Sequence, residues 1–340
     1  MPCNGNNVSL TMAGYGRLMT EVAAMNVNTD SVESVMRAEL SHGDAMLSSI
    51  SPILRHLLAN DDHSVFSDEI VARVRGTLGD FARQLLDELR TAGGSDERED
   101  HDEAVLAEVS HDLVSIPGLM THLHALALEW QLTDRMHARL SVDPVLSPLL
   151  QALISSSEPS TAGTAMNLLA SQSRFIQSLR RMQLPLTELP GDLLHGALLV
   201  MRARAGEGPA EDALGATAEA AIRGRYDESR CRLGLIARLV TGMGGGAVAA
   251  LSITHGGVAI FISALAIASG QDRDLAVLST SDGQLARLAL SLRAAGLKAN
   301  LIEEQFLSLH PEVALPAGFE LLGADRAAAM LAIAGRCLGG

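Results

Sequence analysis

GVAIFISALAIASGQDRDLAVLST at residues 257–280 and GQLARLALSLRAAGLKANLIEEQF at residues 283–306 align at an offset of 26 residues. Gly257 falls over Gly283, Gly270 over Gly296, Ile262 over Leu288, Asp274 over Asn300 and Leu275 over Leu301. Each block reads as a helix of about three turns, a glycine stop, a polar start residue and a second helix. One helical hairpin cannot bury its apolar face alone. A repeat of hairpins therefore implies stacking and a surface that the stack presents.

The repeat also decides how its own first half is read. Residues 247–269 carry no charged side chain over a length that could cross a bilayer. The second block places Arg287 and Arg293 in the helix that matches 258–269, and His255, Gly256 and Gly257 interrupt the apolar run. The reading is a buried hairpin with no stable membrane insertion. Just upstream, Gly242-Met243-Gly244-Gly245-Gly246 follows a helix and has no lysine, so it reads as a turn rather than a phosphate loop.

Toward the N-terminus the chain continues to read as helix. Residues 1–29 are polar and Asn-rich, a loose lead-in. Helices are predicted over 30–40 and 44–58, the second broken at Pro52. Ser67 is placed to cap a long helix running to Arg90, with Ile70, Val74, Leu78, Phe81, Leu85 and Leu89 in one apolar stripe. That stripe packs within the chain on the preferred reading; a dimer seam is the alternative. Residues 93–103, GGSDEREDHDE, read as an acidic linker. The organisation expected is thus an N-terminal helical region over 30–92 and a helical-hairpin array over 104–336. No segment alternates with period two between hairpin turns, so the fold class is all-α: stacked helical hairpins, as an α-α superhelix or a multi-helix bundle.

Composition agrees. Apolar residues make up 47% of the 340, enough for a real core, while aromatics are only 3% and Ala and Leu abound, which favours helix. A net charge of -14 repels a phosphate backbone, so no nucleic-acid partner is expected. Cys3, Cys231 and Cys337 lie far apart and form neither a metal-ligand spacing nor a disulfide framework. With no basic n-region or apolar h-region in MPCNGNNVSL, the expected setting is cytoplasmic.

SPLLQALI at 147–154, LPGDLLHGALLVMRA at 189–203, and GGVAIFISALAIASG at 256–270 followed by RLALSLRAAGL at 287–297 together resemble the bacterial family called domain of unknown function 2336. The resemblance covers residues 147–311, about half the chain. It implies a helical-repeat fold and carries no catalytic residue, cofactor or ligand set.

Several constellations carry residue types suited to chemistry. His111-Asp112, His122 and Asp134 are the candidate metal ligands of a helical region rich in histidine. Imidazole and carboxylate together suit a divalent ion that activates water, as in phosphohydrolases of the HD type. Against this, His122 and His124 stand two apart and point to different helix faces; exposed or singly hydrogen-bonded histidines are the preferred reading. Arg223, Arg225, Arg230 and Arg232 form a basic cluster that could receive an acidic partner segment or a phosphate. A solvated face neutralised by Asp227 and Glu228 is the plainer account. Cys231, between two arginines, could have a lowered pKa; an ordinary thiol is preferred. No Gly-x-Ser-x-Gly elbow occurs.

The function expected from these observations is a non-enzymatic cytoplasmic protein-interaction or regulatory module, with a protein partner, a homodimeric tendency and no cofactor. A metal-dependent hydrolase using the His-rich region is one alternative. A binder of small apolar ligands, with 247–269 lining the cavity, is another.

Overall fold

The computed structural model describes residues 29–59, 68–95 and 100–338, and among these residues it forms helices and no strand. We number the helices in chain order: α1 Thr29–Ala59, α2 Asp68–Ala92, α3 Glu103–Val114, α4 Leu119–Leu140, α5 Pro148–Ile154, α6 Pro159–Arg180 and α7 Gly191–Ala205. There follow α8 Pro209–Arg225, α9 Arg232–Gly242, α10 Ile253–Ser269, α11 Arg273–Leu278, α12 Leu285–Ala294, α13 Ala299–Leu309 and α14 Ala324–Leu338. The all-α class read from the sequence is the fold observed. The lead-in 1–28, the Ser67 cap, Cys3 and residues 96–99 of the acidic stretch lie outside the described residues, as does the Cys337 side chain.

The repeat is visible in the hydrogen bonding. The Gln271 amide donates to the Ala266 carbonyl at 3.0 Å, and its counterpart 26 residues on, Leu297, donates to Leu292 at 3.2 Å. This six-to-one bond closes a helix whose last residue is followed by a left-handed glycine: Gly270 has φ 66 and Gly296 φ 91. The partner helices α11 and α13 begin at Arg273 and Ala299, again in register. They differ in length, 6 residues against 11.

Residues 247–269 do not form one rod. A 3-10 segment, Gly244–Leu251, meets α10 at 110°, and no single helix among the described residues is long and apolar enough to cross a membrane. Most of α10 is buried inside the fold, including Phe261, Ile262 and Leu265.

Two apolar cores form. The first gathers α9, α10, α12, α13 and α14 with Val32, Met36 and Leu40 of α1; the second gathers α2, α3, α7 and α8 with Leu54 of α1. Three helices serve both. α4 gives Leu132 and Met136 to the first core and Leu119 and Leu123 to the second, and α1 and α6 divide likewise. Packing therefore runs across residues 93–103, with α2 and α3 in direct contact.

One expectation is corrected here, and one preferred reading is met. α1 runs unbroken through Pro52, because Leu54 and Leu57 beyond it are buried and hold the turn against the missing amide. The α2 stripe, Ile70 to Leu89, lies within the second core, so it packs inside the chain, as the preferred reading had it, and not as the alternative dimer seam.

Candidate functional site

α4 is the spine of the site because it stands between the cores. His122 and Glu129 are seven residues apart, two turns of helix, and so share a face. Both are buried, at 2% exposure each.

Glu129 holds two guanidiniums. Arg232 donates from Nη1 at 2.8 Å and from Nη2 at 3.3 Å; Arg273 donates to the same carboxylate at 2.8 and 2.9 Å. Arg273 also donates Nε to Ser263 Oγ at 3.1 Å. Arg232 is 1% exposed, and its guanidinium lies 3.5 Å from the centroid of the Phe175 ring. Burial alone would push the Glu129 carboxyl up, but the two cations override it and hold it well below the usual carboxylate range. Burial also lowers the Arg232 pKa, and Glu129 opposes that shift. The sequence places Arg232 in a solvated basic cluster; the structure makes it a core residue.

On one side of this cluster lies a cavity of about 850 Å³ between α1, α4, α7, α9 and α11. His122 lines it, with Nδ1 at 2.9 and 3.1 Å from the two carboxylate oxygens of Asp274. Asp274 and Arg273 open α11, so the start of that short helix brings one residue to His122 and the other to Glu129.

On the other side lies a groove of about 530 Å³ between α6, the loop 183–188 and the segment 225–231. Arg174, Arg181, Arg225 and Arg230 line it, with Glu188 and Asp227. Arg225 pairs with Glu88 at 2.6 Å. Arg174, Arg181 and Arg230 make no salt bridge among the described residues, though Glu188 and Asp227 lie within their field. The groove floor is pinned from α2. Asp80 accepts from the Leu184 amide at 3.1 Å, and Gln84 accepts from Leu186 at 3.1 Å while donating to the Leu184 carbonyl at 2.7 Å. Burial raises the Asp80 carboxyl, against these hydrogen bonds. Cys231, at the groove edge, donates its thiol to the Glu228 carbonyl at 2.9 Å and caps α9. Burial raises that thiol rather than lowering it, so the flanking arginines do not activate it.

The remaining candidates disperse. His111 and Asp112 are exposed on α3; Asp134 is exposed and lines a different cavity from His122. Among the described residues, no group of three or more His, Cys, Asp or Glu side chains is placed to hold a metal ion. Arg223 pairs with Glu219 at 2.7 Å and faces His195, away from the groove. The 247–269 hairpin does not line the large cavity. Gly256–Ile260 border only a space of about 20 Å³, room for roughly one water.

His124, next to this site on α4, gives a pH signature. Burial lowers its pKa to about 4, so the folded chain keeps it neutral where the unfolded chain, near 6.5, takes up a proton. Stability is therefore full above pH 6.5 and falls as pH drops toward 4, by at most about 1.4 kcal/mol per pH unit from this residue. Urea unfolding of wild type and His124→Phe, run at pH 7 and pH 4.5, measures it. The variant is expected to lose less on acidification, and equal losses would remove His124 as a cause.

Sequence reasoning missed Glu129, Arg273, Asp274, Arg174 and Arg181. Two signals were present. Glu129 is a lone carboxylate inside the apolar run LHALALEW, and Ser171, Arg174, Ser178 and Arg181 recur at helical spacing along α6 and its C-cap. Compared with known proteins, the chain matches no family model, no curated protein and no solved structure.

Proposed function

We propose that this protein is a non-enzymatic interaction module that takes an acidic segment of a partner protein in the arginine-lined groove. The observation that supports it is the convergence of Arg174, Arg181 and Arg230, unbridged among the described residues, on one polar groove of a chain whose net charge is -14. An excess of guanidinium in one place on an acidic surface orients an anionic partner and rejects wrong faces by like-charge repulsion. Planar forks suit carboxylates in pairs, which is the mode of acidic-motif recognition by arginine clusters. Ser171, Ser178 and Gln177 add neutral hydrogen-bonding groups along the same wall. A cytoplasmic setting and membership of the 2336 family, which rests on the motifs quoted above, belong to the same proposal.

The test is fluorescence anisotropy of a labelled Asp/Glu-rich peptide. Binding is expected at low salt and weakens as salt screens the groove. The double variant Arg174→Glu/Arg181→Glu changes two exposed residues, so the fold is retained, and affinity is expected to drop at least about tenfold. Unchanged affinity in that variant, or no binding by the wild type, sinks the reading.

A further inference from the structure

The chain carries an acidic segment that matches its own groove. Residues 96–103, DEREDHDE, hold six carboxylates in eight positions, the densest acidic run in the sequence. Asp100, Asp102 and Glu103 are exposed, and among the described residues none of the three makes a salt bridge; Asp102 caps α3 by accepting from the Ala104 amide at 3.0 Å. Arg174, Arg181 and Arg230 are exposed on the groove and equally unbridged. Each chain thus displays both halves of an ion-pair set and leaves both open.

The two halves are held apart within one chain. The segment is tied at both ends to the last turns of α2: the Ser95 amide donates to the Arg90 carbonyl at 3.3 Å, and His101 Nε2 lies 2.8 Å from an Asp87 carboxylate oxygen. Five residues between two such ties reach outward by roughly 10 Å. Arg181 is fixed much further back on the same helix. Its neighbour Met182 lies directly on Gly76, where a Cβ would overlap it, and the Leu184 amide bonds Asp80. Gly76 and Asp87 are separated by about 16 Å of helix rise. The segment of the same chain therefore comes near the groove at its Arg225 end alone, and there Glu88 already holds the guanidinium at 2.6 Å. A carboxylate that pairs with Arg181 comes from another molecule.

We propose that the partner of the groove is a second copy of this chain, whose acidic segment 96–103 docks against Arg174, Arg181 and Arg230 while its own groove takes the segment of the first. This rests on reading the groove as a site for acidic segments and names the segment. Exchanged reciprocally, the contact occurs twice and closes at a dimer. Two chains of net charge -14 repel one another over most of their surfaces, so the groove and the segment are where approach is favoured, and they set the register. Guanidinium forks on carboxylates supply the directional part of the contact.

Sedimentation equilibrium of the full chain over a concentration series tests it with two charge-reversed variants. The groove variant is Arg174→Glu/Arg181→Glu. The segment variant is Glu97→Lys/Glu99→Lys/Asp100→Lys, which leaves the Asp102 cap and the His101–Asp87 contact in place. The wild type is expected to dimerise, and each variant alone to dimerise at least about tenfold more weakly, since like charges then meet at both contacts. An equal mixture of the two variants is expected to regain the dimer, because acidic groove meets basic segment and basic groove meets acidic segment. A misfolded variant does not regain it, so the mixture separates lost charge from lost fold. A monomeric wild type, a dimer that neither variant weakens, or a mixture that stays monomeric overturns the proposal. The anisotropy titration with the Asp/Glu-rich peptide tells this failure from failure of the groove reading. A monomeric wild type that binds the peptide has a groove for some other acidic chain. A monomer that binds it tighter in the segment variant has a groove covered by its own segment. A chain that binds no peptide and forms no dimer has neither site.

Discussion

Replacing Glu129 with glutamine lowers the stability of the folded chain by about 3–5 kcal/mol, the cost of stranding buried charge. Among the described residues the carboxylate is the one anion that both Arg232 and Arg273 reach with their Nη groups, and Arg232 is 1% exposed. Without it, two guanidiniums face each other across a neutral amide, and that of Arg232 is closed to water. Arg232→Met is expected to cost less, because it leaves Glu129 paired to Arg273, which is 14% exposed and partly solvated. A double-mutant cycle on Glu129 and Arg232, read by urea midpoint at constant slope, measures the coupling. If Glu129→Gln costs no more than Arg232→Met, the carboxylate is not the centre of the cluster. The cluster also has a place in function. Phe175 and the backbone of Arg232, bonded to Glu188 at 3.3 Å, stand at the groove, while Arg273 stands at the cavity. The same carboxylate thus positions a wall of each.

Gly257→Ala is expected to cost about 2–5 kcal/mol, combining a backbone that only glycine adopts with a steric overlap. Gly257 has φ 73 and ψ 164, where a side chain is strained whatever the room. A Cβ there would also sit 2.9 Å from Ser147 Cβ, and Ser147 caps α5 through the Leu150 amide at 3.2 Å. The overlap therefore falls on a fixed residue. Its repeat mate behaves differently. Gly283 has no positive φ, and a Cβ on it would meet the mobile end of Met46, at 2.9 Å from Cε. Gly283→Ala is expected to change stability little, and Gly270→Ala, left-handed but in open space, by roughly 1–2 kcal/mol. Thermal unfolding of the three variants ranks them. A Gly283→Ala loss equal to that of Gly257→Ala would mean that the two positions do the same work after all.

Those glycines show where the sequence is legible. A glycine after a helix followed by a polar residue is a local instruction, and both Gly270 and Gly296 obey it with the same hydrogen bond 26 residues apart. Gly257 and Gly283 look equally matched on the page. Only the chain that packs beside each, Ser147 against one and Met46 against the other, makes them unlike. Pro52 is the same lesson in reverse: its local preference for a break yields to Leu54, which is fully buried.

The candidate site was less legible than the fold. The four arginines nearest in sequence, 223 to 232, scatter to Glu219, to Glu88, to the groove and to the core. The groove instead takes Arg174 from α6 and Arg181 from just past its end, and the cavity takes His122 and Asp274 from positions 152 apart. The amino-acid order alone determined the helices, their glycine ends and the apolar faces, because these follow from spacing and short-range hydrogen bonds. Which charges are buried together, which face stays open and which glycine is indispensable were decided by the tertiary structure. Those properties depend on what the rest of the chain brings within a few ångströms, and no local pattern encodes that neighbour.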